Sequence, residues 1–157
     1  MIYRQLDDDT LRRSTGCRTE RIVTVKKAQE KIFKCCPMCA AVWHERAEFI
    51  SDTHLQIEGY QADFDHLEQG LVYFTHTVDG CHSTMAVKAG EFIDLIPGKP
   101  FASRKTMTED CPGYCLHKSN LQRCKAECEC AYVRDLLHIL QSHKKADSKH
   151  SVILQSM

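Results

Sequence analysis

The chain has 157 residues, 43% of them hydrophobic and 27% charged, with 21 Lys and Arg against 21 Asp and Glu. This length and apolar content support one domain with a modest core, and zero net charge argues against a dedicated polyanion binder. No apolar run approaches the roughly 20 residues that a membrane span requires, and the opening MIYRQLDDDT lacks the apolar stretch of a secretory leader.

In chain order, residues 1–20 are polar and read as a mobile arm carrying one isolated thiol, Cys17. Residues 21–25 (RIVTV) and 31–35 read as short strands, the first from its β-branched content. Residues 41–50 (AVWHERAEFI) carry apolar side chains at 42, 43, 47, 49 and 50, which suits a short helix. A β-rich middle follows. Residues 54–64 alternate through Leu55 and Ile57, residues 70–78 (GLVYFTHTV) form the strongest strand, and residues 83–87 pair with it after the Asp79-Gly80 turn.

Residues 89–96 (AGEFIDLI) read as a short helix stopped by Pro97-Gly98, and residues 98–110 as an extended connector. After a cysteine-rich loop, residues 128–143 place Val133, Leu136, Leu137 and Leu140 at i, i+3, i+4 and i+7 of a helix. Residues 144–157 read as a polar tail. The expected fold is therefore α+β. A small antiparallel sheet carries a zinc-knuckle-like turn and short helices, with residues 21–143 as one metal-binding domain. Its Cys-rich lobe, 108–143, ends in a helix.

Ten cysteines, about 6% of the chain, exceed ordinary usage several-fold. Without an export signal, and with enough chain for its own core, the expectation is a cytoplasmic protein with reduced thiols and bound metal. The first cluster is Cys35-Cys36-Pro37-Met38-Cys39. A C-P-x-C turn directs two thiolates at one tetrahedral ion while its backbone N–H groups donate to the sulfurs. Cys81, beside His82 in a D-G-C-H turn, is the only downstream cysteine of the β-rich middle. The expected first site is Cys36, Cys39, Cys81 and one donor among Cys35, His82, His76 and His44, with His82 the neighbour of Cys81 in sequence.

The second cluster is Cys111, Cys115, Cys124, Cys128 and Cys130, of which four can close a tetrathiolate site. If the segment is already helical, Cys124 and Cys128 share a face and Cys130 points elsewhere. Zinc, one or two ions, is favoured; an iron–sulfur cluster is the alternative, although the spacing follows neither ferredoxin pattern.

Bland readings stand beside these. Cys35 suits a small core residue and Cys17 a surface thiol. Asp63, Asp65 and Glu68 suit a solvated loop, and Lys26, Lys27, Lys31 and Lys34 a solvated edge. Enzyme signatures are missing: there is no H-E-x-x-H, no G-x-S-x-G, no G-x-x-x-x-G-K and no G-x-G-x-x-G. The knuckle also suggests a glutaredoxin thiol, but no Gly-Gly follows.

The segments FKCCPMCAAVWHERAEFISD, IEGYQ, GLVYFTHTVDGCHSTMAV, TEDCPGYCLH and CKAECECAYVRDLLHIL resemble a group of uncharacterised bacterial Cys-rich proteins. These share a C-P-x-C knuckle, a lone middle cysteine and a C-P-G-Y-C tail. The resemblance spans about residues 33–140 and implies domain limits and ligand candidates, but no chemistry. Adjacent Cys35-Cys36, and His82 in place of a glycine, depart from it. The overall expectation is a non-enzymatic metal-binding module with a protein partner, or alternatively an iron–sulfur or thiol redox protein. Nucleic acid is disfavoured, since basic and aromatic residues do not interleave on one strand.

Overall fold

A computed structural model of the protein describes residues 31–153. The expected strand at 21–25, Cys17 and the N-terminal arm lie outside the described residues. The architecture is α+β, with two antiparallel sheets and a long C-terminal helix. The smaller sheet pairs β1 (Lys34–Cys35) with β2 (Val42–Trp43), Lys34 opposite Trp43. The larger has the order β3-β4-β5, formed by Leu55–Gln61, Leu71–His76 and Ser83–Lys88. Central β4 alternates strictly, burying Val72, Phe74 and His76 on one face, as a half-buried pleated strand does.

Residues 41–50 form less helix than their periodicity suggests. Val42 and Trp43 are strand, and α1 begins only at Arg46 and runs to Ser51. The knuckle requires its chain to return antiparallel, so residues 42 and 43 close a ladder before the helix starts. A capping box then opens α1: the Glu48 carboxylate accepts from the Glu45 backbone N–H, and Glu45 reciprocates. Residues 89–96 fold as two consecutive 3-10 turns, Ala89–Glu91 and Ile93–Leu95, rather than as one helix.

The second helix, α2, spans Glu129–Ile153 and continues through residues whose composition reads as a polar tail. Val133, Leu136, Leu137 and Leu140 are all buried on its inner face. They complete a core centred on edge-to-face aromatic pairs: Phe49 lies 4.9 Å from Phe74 and 5.2 Å from Trp43. Among the described residues no helix is long and apolar enough to cross a membrane.

Candidate metal centre

The turn between β1 and β2 carries Cys36-Pro37-Met38-Cys39. Cys36 N–H donates to the Ala41 carbonyl at 2.8 Å, and Ala40 N–H returns a bond to the Cys36 carbonyl at 3.0 Å. Ala40 takes a left-handed φ of 58°, which brings the chain back into β2. The turn leaves Cys36 wholly buried and Cys39 at the surface.

The β4–β5 connection supplies the other half. Alternation along β4 puts its last residue, His76, on the same buried face as Phe74. Cys81 follows in the turn, its N–H donating to the Val78 carbonyl at 2.9 Å. Four donors from two hairpins thus meet. Cys36 Sγ lies 3.5 Å from Cys81 Sγ. His76 Nδ1 lies 3.4 Å from Cys39 Sγ and 3.6 Å from Cys81 Sγ. All four ligand atoms fall within 4.8 Å of one another, and the group can hold a metal ion. Trp43 packs edge-on against the His76 ring at 5.2 Å and fixes its plane.

Electrostatics at the site separates the two buried thiols. Burial pushes the Cys36 thiol up, but N–H donors of Cys39 and Met38, with His76 and Cys81, outweigh it and lower its pKa to about 6. At Cys81 the Ser83 N–H lowers the pKa, while burial and the neighbouring Cys36 and Cys39 outweigh that and leave it raised. The donors at Cys36 favour its thiolate form, whose charge in turn disfavours ionisation of Cys81. A cation at the centre removes that repulsion.

Cys36, Cys39 and Cys81 sit together as their spacing suggests, and His76 is the fourth donor. His82 does not join them. It is exposed, with φ of 51°, and the backbone turns outward there. His44 is exposed as well. Cys35, the last residue of β1, is half-buried and disulfide-bonded, neither a core thiol nor a ligand. The signal that identifies His76 is the period-2 pattern of Val72, Phe74 and His76; adjacency to Cys81 points to the wrong histidine.

In the C-terminal lobe, Cys128 and Cys130 are buried, and Cys115 and Cys124 pack against them. Cys111 stands apart, half-buried, its Sγ accepting from the Gly113 N–H at 3.4 Å. Because α2 begins at Glu129, Cys124 lies in a loop rather than on a helical face with Cys128, and Cys130 turns into the group rather than away from it. Asp63 accepts from the N–H groups of Asp65 and His66 and serves its own loop. Lys34 donates to the Ala86 carbonyl.

No protein-family model matches the chain, and no curated protein or solved structure matches it.

Proposed function

We propose that the protein is a zinc-binding module in which Cys36, Cys39, Cys81 and His76 hold one ion, with a binding or regulatory task rather than a catalytic one. The convergence of three sulfurs and one imidazole nitrogen carries this reading. With Zn–S about 2.3 Å and Zn–N about 2.0–2.1 Å, a tetrahedral shell separates its sulfurs by roughly 3.8 Å and sulfur from nitrogen by roughly 3.5 Å. The separations of 3.5, 3.4 and 3.6 Å fit that shell.

A shell of four protein donors is closed. It offers no position for water or substrate, which a catalytic zinc requires. A thiol redox role would draw on the lowered pKa of Cys36, but that sulfur is 0% exposed and out of reach of a partner thiol. A protein partner suits the knuckle tip, where Met38 is 64% exposed beside exposed Val42.

Zinc here ties the β1–β2 hairpin to the β4–β5 turn, so its removal should loosen both. Thermal unfolding of the full chain with and without a strong chelator tests this. The expected result is a marked fall in Tm that added zinc reverses. A Tm indifferent to chelator and to zinc contradicts the reading.

A further inference from the structure

The four donors of the candidate centre are not equally enclosed. Cys36 is 0% exposed, His76 4% and Cys81 5%. Cys39 is exposed, and it is the only free cysteine among the described residues that is. It sits at the tip of the knuckle, where Pro37, Met38 and Ala40 are exposed as well. A small reagent in solution therefore meets one sulfur of this group before any other.

The neighbours of that sulfur are the second observation. The ligand atoms of Cys36, His76 and Cys81 all lie within 4.8 Å of that of Cys39. Cys36 is on the same turn, which the Ala40 N–H closes onto the Cys36 carbonyl at 3.0 Å. Cys81 reaches the group from the β4–β5 connection, 3.5 Å from the Cys36 sulfur. Two enclosed sulfurs thus stand directly behind the exposed one. Cys36 is out of reach of a partner thiol, but not of Cys39. An accessible thiolate with a resolving sulfur beside it is the arrangement at which oxidation concentrates, whereas buried thiols are inert.

Building on the zinc-binding reading above, we propose that Cys39 is an oxidation site through which a peroxide ejects the ion held by Cys36, Cys39, Cys81 and His76. In the first step the Cys39 thiolate attacks one oxygen of hydrogen peroxide. An S–O bond forms, the O–O bond breaks, and hydroxide leaves. In the second step the thiolate of Cys36 or Cys81 attacks the resulting sulfenic sulfur. An S–S bond forms, and the oxygen leaves as a second hydroxide. The two sulfurs give up two electrons in all, the peroxide takes both, and two protons from solvent convert the hydroxides to water. The disulfide removes two of the four donors, so the ion is lost and the two hairpins are no longer tied. A dithiol reductant returns both thiolates by exchange.

The full chain, purified with zinc and without oxygen, is analysed for metal and then treated with hydrogen peroxide. A chromogenic chelator follows zinc release, and peptide mapping after alkylation locates each oxidised residue. Wild type should lose the ion of this site, and the map should join Cys39 to Cys36 or Cys81. Dithiothreitol followed by zinc should reverse both changes. Cys39→His keeps a fourth donor but removes the exposed sulfur, and it should retain its zinc through the same treatment. Met38, 64% exposed beside Cys39, is the internal control, since it takes up oxygen without being a ligand. Zinc held and Cys39 still reduced once Met38 is oxidised overturns the proposal and leaves the zinc site standing. Zinc lost while Cys39 remains open to alkylation overturns it too, because oxidation then began at another sulfur. If Cys39→His does not fold, the wild-type map decides on those same terms. A chain that carries no zinc before peroxide is added overturns the zinc-binding reading itself, and this proposal with it.

Discussion

His76 and His82 flank the β4–β5 connection, and only the first faces the sulfurs. His76→Ala removes one of the four converging donors, and His82→Ala removes an exposed side chain. Metal affinity, measured by competition with a chromogenic chelator, should fall by at least the 10–100-fold typical of weakened metal sites in His76→Ala. It should be unchanged in His82→Ala. The reverse order would mean that the β4 face does not set the site. Arg134 makes the complementary case. Replacing it with Met keeps most of its volume but removes the hydrogen bonds that the Gln122 and Asn120 backbone carbonyls accept from the guanidinium. At about 0.5–1.5 kcal/mol for each lost hydrogen bond, Arg134→Met should destabilise the lobe measurably by chemical denaturation, and a variant as stable as wild type would contradict that role.

At the scale of elements, legibility followed the strength of local patterning. The run GLVYFTHTV, its partner strand and the Leu136–Leu137–Leu140 face were readable because period 2 and period 3.6 each coincide with burial there. Residues 41–50 were not, because the demand of the knuckle for a returning strand overrides helical periodicity at Val42 and Trp43. The four-thiol group was half legible. Its membership depends on where α2 begins, and element boundaries are weakly encoded in local sequence.

The contacts between elements suggest two stability tests. Phe74 sits between Phe49 and Phe92 in the core, so Phe74→Ala should cost about 3–5 kcal/mol in denaturant unfolding. A loss under about 1 kcal/mol would mean the aromatic core is not packed as described. Gly59 lies on β3 against the cysteine loop. A Cβ there would stand 2.7 Å from the Lys118 carbonyl oxygen, next to the Tyr60 N–H bond to that oxygen at 2.8 Å. Gly59→Ala should therefore cost on the order of 1–3 kcal/mol and lift residues 114–122 from the sheet. Hydrogen exchange at Tyr60 N–H reads this directly, and unchanged protection would contradict the docking.

Across the whole molecule, the two cysteine groups lie at different joins. Cys36, Cys39, His76 and Cys81 connect the small sheet to the large one. Cys115, Cys124, Cys128 and Cys130 connect a loop that hydrogen-bonds β3 to the first turn of α2. The hydrophobic core between them is continuous, running from Cys36 and Trp43 through Phe74 to Leu140. A metal ion held by the first group would therefore act on the packing of two sheets rather than on an isolated loop. Its contribution to folding should approach the roughly 10 kcal/mol scale of structural zinc near neutral pH. It should fall on acidification, because protons compete for the same three thiolates and one imidazole.

The central claim is that one ion is shared by the knuckle and the end of β4. The most direct measurement is the metal content of the full chain beside that of His76→Ala/Cys81→Ser, both purified identically. The account predicts that the double variant carries one metal equivalent less per chain. Equal metal content in the two proteins would contradict it.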